Sequence, residues 1–586
     1  MKQQVEKLVL SALQKLVGTL LPEAPAADAV SVERSRDPQH GDFTTNVAMR
    51  LAKAARRKPR ELAQAIVAAL PPSPLVAKTE VAGAGFINFF LTSDSLSREI
   101  GRIHELGERY GRSTLGQGRR VLVEFVSANP TGPLHVAHGR HAAYGASLAN
   151  LLSAAGFAVH REYYINDAGR QMDIVAVSVW LRYLETFGET IALPANAYPG
   201  NYIKPVAAGL REQVGDRLRR GASDVLSGLP PDEPTGGDKD VYIDAVIDRA
   251  RTLLGTKDFQ RVLEFALESM TAEIRNDLEE FGVTFDRWFS ERSLDTDGAI
   301  ERALARLEKQ GRLYRKDGAL WFRATEFGDE KDRVVVRENG QKTYFASDIA
   351  YHLDKRERGF ERLIDVLGAD HHGYVARVRA GLAAMGEPPE SLEVQLIQIV
   401  TLYRGEEQLK MGKRAGTFVT LRQLRGEVGN DACRFFYLLR SHEQSLDFDL
   451  ELATSRTNEN PVYYIQYAHA RVASVMKQLA SRNLTFDLTD GLANLSQLDT
   501  QHEQALIPVL LRYPETVEQA AANSAPHSIV YYLRELANAF HTYYNAEQFI
   551  VDDASLRNAR LALVLAVGQV IRNGLTLLGV SAPESM

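Results

Sequence analysis

The chain of 586 residues has a single cysteine, Cys433. One thiol excludes an intramolecular disulfide framework and a multi-cysteine zinc site. Long apolar runs are also missing, since no stretch approaches the roughly 18 consecutive apolar residues of a membrane span. The N-terminus, MKQQVEKLVLSALQKLVGTLLPE, reads as an amphipathic helical stretch. Its apolar positions are interleaved with Lys, Glu and Gln, so it lacks the apolar core of a signal peptide. These absences point to the cytoplasm and to no membrane partner. An excess of positive charge is absent as well: 69 Lys and Arg stand against 75 Asp and Glu, a formal net charge of -6. By itself that argues against a polyanion partner, although the distribution of charge counts for more than its sum. The local exception is KAARRKPR at 53–60, whose plainest reading is a solvated helix face. There is no fixed-period repeat and no low-complexity tract.

What remains is a globular composition, 45% hydrophobic and 25% charged, in a chain too long for one ordinary core. Residues 1–112 read as a small α+β domain. A helical stretch at 1–21 leads to a polar segment, a long helical pattern covers about 44–70, and PPSP at 71–74 breaks it. VAGAGFINFFL at 81–91 reads as a strand, with Phe86, Asn88 and Phe90 alternating with Ile87, Phe89 and Leu91. From 119 the rhythm changes. RRVLVEFV (119–126) is a β-branched apolar run suited to a buried parallel strand, SANPTGP is a turn, 134–156 is a helix, and VHREYYIND (159–167) is the next strand. That is the rhythm of a doubly wound, Rossmann-like α/β sheet. It returns in the helix at 344–355, the strand within 362–374 and the strand at 392–403. Breaker-rich text at 185–240 marks an insertion, placed near 185–290 within an α/β domain spanning 113–428. Residues 429–586 are almost wholly helical, an all-α C-terminal domain.

His135-Val136-Ala137-His138 lies where a strand and a Pro/Gly turn deliver the chain into a helix N-terminus. Backbone N–H groups and the helix dipole favour phosphate there. Two histidines at i and i+3 share one face of the first turn and can donate to triphosphate oxygens. The alternatives are a zinc pair, for which no further ligand is in view, and two surface histidines. Lys410-Met411-Gly412-Lys413-Arg414, nearly the whole α/β core further on, is a Gly-containing cationic loop able to close over phosphates. Alone it would read as a solvated basic loop. The two together, in this order, weaken both bland readings.

The pair resembles the HIGH and KMSKS motifs of class I aminoacyl-tRNA synthetases. VEFVSANPTGPLHVAHGR and KMGKRAGTFVTLRQL resemble the two motif regions of the arginyl-tRNA synthetases. Ala137 replaces the Gly of HIGH, and Gly412 replaces the Ser of KMSKS. The resemblance covers nearly the whole chain. It implies activation of arginine by ATP with Mg²⁺, no protein-ligated metal, and transfer to tRNA(Arg) by a monomer. Adenylate formation is expected to need bound tRNA. It makes His135, His138, Lys410 and Lys413 catalytic, with Ala137, Gly139, His371 and Met411 joining them at ATP. A selective pocket for a planar guanidinium should offer carboxylates. Glu124, a charge within a buried apolar run, needs a partner. An internal Arg is one reading, and the family pattern instead gives Glu124 and Asn129 to the substrate. Tyr344 and Asp348, at i and i+4, match the family's Tyr-x-x-x-Asp, which gives Asp348 the guanidinium and Tyr344 the side-chain stem. A core Tyr beside a surface Asp is the alternative. In GADHHG (368–373), at the carboxyl end of a predicted strand, Asp370 and His371 fall to arginine or the adenosine ribose. Lysine would leave such a pocket with unpaired acceptors, enough to discriminate by roughly 10⁴ or more without editing.

DACRFF (431–436) resembles the Asp-Ala-Leu-Arg opening of the helical anticodon-binding domain, with Cys433 at the Leu position. In NPVYYIQYAHAR (460–471), Tyr463, Tyr464, Gln466 and Tyr467 are candidates for splayed anticodon bases, and helix-core packing is the other reading for at least half of them. The ending GVSAPESM puts Met586 at the anticodon site, with Ser585 where the family has Arg. The first domain resembles the N-terminal domain of arginyl-tRNA synthetases, and its Phe-x-Asn gives Phe86 and Asn88 to a tRNA loop base; an ordinary alternating strand is the alternative. Two rivals stand beside this reading. A small-molecule nucleotidyltransferase would not need the two outer domains, and a non-enzymatic RNA-binding derivative would be expected to lose its catalytic positions.

Overall fold

In the computed structural model, which describes residues 1–25, 30–35, 37–409 and 419–586, the central apolar runs form a five-stranded sheet. Its strands are β1 (Arg120–Glu124), β2 (Ala158–Ile165), β3 (Arg287–Ser290), β4 (Arg362–Gly368) and β5 (Leu392–Ile397). They lie in the order β5-β4-β1-β2-β3, every pair parallel. Val121, Leu122 and Val123 are covered on both faces, which is why β1 reads as an unbroken apolar run. The chain winds outward from β1 to β3 and then returns to the other side at β4. The β1/β4 boundary is therefore a topological switch point, and its carboxyl end is where such sheets hold ligands.

Helix α1 (Val136–Ala154) follows β1 and crosses close beneath it. A Cβ on Gly145 would lie 2.3 Å from the Phe125 ring, so this approach needs glycine. Between β2 and β3 the insertion contains α2 (Arg170–Glu185), the helix Ile203–Val214 and α3 (Lys239–Glu280), which is bent at Gly255. It has its own core around Trp180, Val179, Ile243 and Val246. Between β3 and β4 lies an antiparallel sheet of Leu313–Lys316, Ala319–Phe322 and Arg333–Val336 that has no counterpart in the sequence reading. Helices α4 (Tyr344–Glu357) and α5 (His372–Ala384) then flank β4.

The C-terminal helices include α6 (Pro461–Ser481), α7 (His527–Ala546) and α8 (Ala554–Leu578). By length and composition α8 could cross a membrane, and 72% of its most apolar window is buried in the bundle. The five-stranded sheet and these helices share one continuous core. The first domain has a separate one around an antiparallel sheet of Val32–Arg34, Phe43–Thr45, Phe86–Leu91 and Val76–Ala82.

Three local expectations need correction. The helix expected over 44–70 is two helices, Val47–Ala55 and Pro59–Ala69, because Arg56 turns left-handed at φ 49° and Pro59 starts the second. The strand at 81–91 is the turn and second arm of a hairpin. The strand at 392–403 divides at exposed Ile399, and Val400–Arg404 leaves to pair with Leu446–Asp449. His371 sits in a single 3₁₀ turn, Ala369–His371, directly after the carboxyl end of β4, where the sequence placed it.

Candidate active site

The HVAH segment closes α1 from its own side chains. The His135 backbone N–H donates to His138 Nδ1 at 3.3 Å, and the His135 side chain accepts from the His138 backbone. The two rings stack with centroids 3.6 Å apart. The i, i+3 spacing is thus a capping box made of histidines. Because His138 Nδ1 accepts, its proton sits on Nε2, the donor form a phosphate oxygen requires. One turn on, His141 is lowered to about 4 by burial and then by the charges of His135 and Arg140, with Asp370 opposing, so it is neutral near pH 7. His141 was not anticipated, although its i+3 spacing from His138 was legible.

Behind HVAH lies protein. Val136 N–H donates to Val419 O (3.3 Å), Leu421 N–H donates to Leu134 O (2.8 Å), and Thr420 pairs with His135. The chain just past the KMGKR segment is therefore hydrogen-bonded to the first motif. Lys410, Met411, Gly412, Lys413 and Arg414 themselves lie outside the described residues. A Cβ on Gly139 would approach Tyr437 Oη to 2.6 Å and Leu421 Cδ1 to 2.8 Å. The Tyr437 hydroxyl donates to Val136 O at 2.7 Å. The Cα of Gly139 thus packs against Tyr437 and Leu421, which leaves no room for a side chain there.

The end of the crevice away from HVAH is built by α4. Thr343 caps it, accepting from Ala346 N–H, and Tyr344 at its first position is 61% exposed. The Asp348 carboxyl, one turn further in, makes no hydrogen bond or ion pair among the described residues. Burial raises its carboxyl to about 7, Glu124 and Asp365 push the same way, and His352 and Arg377 oppose. Glu291, immediately after β3, is also raised to about 7, by burial and then by the charges of Asp348 and Asp167. The Tyr164 hydroxyl bonds to it, and the Asn166 amide, oriented to satisfy both groups, donates to it at 2.7 Å. Tyr164 and Tyr374 stand among these carboxyls. Two carboxyls short of a cation between aromatic walls form an arrangement that a guanidinium satisfies. Glu291 was missed because no motif surrounds it; only its place at the end of an edge strand marks it.

Glu124 is engaged differently. Its Oε2 accepts from Lys355 Nζ at 2.6 Å and its Oε1 from Ser127 Oγ at 3.0 Å. The alternative of an internal cation is met by a lysine and not by an arginine. Asn129 is exposed and donates to Gln171 Oε1 at 2.9 Å. Asp370, with its side chain 86% exposed, and His371 lie 3.9 Å apart at the carboxyl end of β4, across the switch point from α1.

Away from the crevice, the basic residues Arg56, Arg57, Lys58 and Arg60 are all exposed at the inter-helix turn. Arg60 donates to Gly83 O (3.1 Å) at the hairpin tip that presents exposed Phe86. Asn88, on the same face of the strand as Phe86 and opposite the core face of Ile87 and Phe89, is only 3% exposed and accepts from Thr44 Oγ1 at 2.8 Å. On α6, Tyr463 and Tyr467 stack at 5.9 Å, Arg471 covers Tyr467 at 4.5 Å, and the Tyr464 hydroxyl donates to Asn538. Gln466 is buried, and its amide nitrogen donates to Asp431 Oδ2 (2.8 Å) and Ser581 O (3.0 Å). It holds the C-terminal tail, which ends in exposed Met586, and does not offer its amide outward.

A parallel switch-point crevice, a histidine-capped helix N-terminus and a helical C-terminal domain together are the build of a class I aminoacyl-tRNA synthetase. The model of the class I (R) tRNA synthetase catalytic domain matches residues 102–190 and 254–444. That of the arginyl tRNA synthetase N-terminal domain matches 3–91, and that of the DALR anticodon binding domain matches 465–586. Arginine–tRNA ligases of Thioalkalivibrio sulfidiphilus and Coxiella burnetii are 60% and 54% identical to it, each aligned over 100% of both chains. The Thermus thermophilus arginyl-tRNA synthetase structure shares the fold, with TM-score 0.74 over 100% of both chains at 24% identity. The chain belongs to the arginyl-tRNA synthetase family.

Proposed function

We propose that this arginine–tRNA ligase forms arginyl-adenylate in the crevice between β1 and β4. The observation that carries this reading is the pair of uncompensated carboxyls, Asp348, one helix turn from exposed Tyr344, and Glu291 at the end of β3. Asp348 and Glu291 take the guanidinium, Tyr344 borders the stem, and Asn129 meets the α-amino group. ATP lies over the start of α1, with Ala137 against adenine and Asp370 or His371 at the ribose. The arginine carboxylate attacks the α-phosphorus, the bond to the bridging oxygen breaks, and pyrophosphate leaves. His135 and His138, with Lys410 and Lys413, meet the charge that develops. Mg²⁺ enters on the triphosphate as its counter-ion. A hydroxyl of the terminal ribose of tRNA(Arg) then attacks the carbonyl of the adenylate and AMP leaves. No side-chain nucleophile is needed, because positioning supplies the rate.

Adenylate formation requires bound tRNA in this reading. Its support is the hydrogen bonding of HVAH to residues 419–421 and to Tyr437, which ties the nucleotide end to the anticodon side. We assign residues 1–112 and 429–586 to tRNA and 113–428 to catalysis, in a monomer working in the cytoplasm. Tyr463, Tyr464 and Tyr467 offer faces to the anticodon, and Met586 closes over it. Arginine-dependent ATP–pyrophosphate exchange, measured with and without tRNA(Arg), tests the scheme: exchange only with tRNA is expected, and none under either condition would overturn it.

A further inference from the structure

One face of α4 carries Asp348, His352 and Lys355, spaced four and three residues apart. Lys355 is 0% exposed and donates to two carboxylates on different strands, Glu124 on β1 (2.6 Å) and Asp365 on β4 (2.8 Å). Asp365 also accepts from His352 Nε2 at 2.7 Å, while His352 Nδ1 lies 2.8 Å from the Asp348 carbonyl oxygen. His352 thus bridges the backbone of α4 and the Asp365 carboxylate on β4. The next face of α4 is tied to β2, where Tyr351 and Arg358 both donate to Glu162, at 2.8 Å for Tyr351 and at 2.6 and 2.8 Å for Arg358.

We propose that Lys355 is a positioning residue of the arginine site: it locks α4 across β1 and β4 and neutralises Glu124, leaving Asp348 and Glu291 as the charge an arginine side chain meets. The inference rests on the assignment of Asp348 to the guanidinium. Buried ion clusters of this kind tolerate joint neutralisation better than loss of one member, because a lone buried charge is left uncompensated. A residue that only filled space would show no such pattern.

The test uses the full chain with saturating tRNA, measuring aminoacylation by wild type, Lys355→Met, Glu124→Gln, the double variant Glu124→Gln/Lys355→Met, and Asp348→Asn. Lys355→Met should raise KM for arginine about tenfold or more while KM for ATP moves less than about twofold. The double variant should return arginine KM to within about threefold of wild type. Glu124→Gln alone should harm arginine KM far less than Asp348→Asn does. Equal losses in Glu124→Gln and Asp348→Asn would overturn the proposal, since Glu124 would then contact arginine itself. So would absence of rescue in the double variant, or parallel changes in both KM values. If Lys355→Met does not fold, the isosteric Glu124→Gln against Asp348→Asn still decides. Charging by wild type, read alongside, separates failure of the clamp from failure of the assigned reaction.

Discussion

At the scale of single residues, the proposed arginine pocket holds two acids that are only partly ionised near pH 7. The Asp348 and Glu291 carboxyls are raised to about 7, chiefly by burial. Arginine stays cationic throughout this range, so below pH 7 it must displace a proton to bind. KM for arginine should therefore fall about tenfold between pH 6 and pH 8. KM for ATP, measured in parallel, should change much less, and Asp348→Asn should flatten the arginine profile. Asp348→Ala should cost arginine use far more than ATP binding; equal loss of both would refute its role. The same shift has a stability cost with a definite sign. A carboxyl raised in the folded state favours folding at low pH, and that contribution is lost as pH rises from its ordinary value of 3.8 through about 7. Substrate-free Asp348→Asn should accordingly melt above wild type at pH 8, by about 1–3 °C, with a smaller difference at pH 5. A variant that melts no higher at pH 8 would show that the pocket is not strained by its own charge.

At the scale of elements, the junction of α1 with the short helix Asn430–Tyr437 decides how HVAH is held. Gly139→Ala would drive a methyl into the Tyr437 hydroxyl and Leu421, costing about 1–3 kcal/mol. Tyr437→Phe keeps the ring and leaves the Val136 carbonyl without its donor, at about 1–2 kcal/mol. Denaturant melts should register both, and kcat should fall several-fold with arginine KM little changed if the junction aims the histidines at ATP. Neither contact was legible in the sequence, because Gly139 and Tyr437 are almost three hundred residues apart and neither lies in a periodic pattern that names the other. The parts that were legible obey local rules: the apolar run of β1, the Pro/Gly turn, and the helix opened by His135. What misled was local too. The 44–70 periodicity hides a left-handed Arg56, and the strands of the 313–336 sheet are four residues each, too short to show alternation. Lys355 sits in an unremarkable helical stretch, and only the sheet order brings it between Glu124 and Asp365.

At the scale of the whole molecule, a chain of net charge -6 must hold a polyanion, so its contacts have to be local patches on a repelling background. The turn at Arg56, Arg57, Lys58 and Arg60 is such a patch, and the hairpin tip beside it adds an exposed ring, Phe86. The first domain is anchored to the C-terminal helices. Arg34 holds Glu515 through two hydrogen bonds of 3.1 and 3.2 Å, and Gln3 donates to Glu518 at 2.9 Å, so force on the turn is carried to the C-terminal helices. If the patch meets tRNA phosphates, each contact releases counter-ions and contributes about 0.9 or less to the slope of log affinity against log salt. Replacing Arg56, Arg57 and Lys58 together by Ala should raise KM for tRNA about tenfold at moderate salt. It should also reduce the salt slope by about 2–3, and leave KM for arginine and ATP alone. Phe86→Ala should weaken tRNA binding with the salt slope unchanged, because stacking releases no ions. Salt-dependent binding isotherms of the two variants separate the contributions, and an unchanged slope in the triple variant would return the basic turn to a solvated helix end.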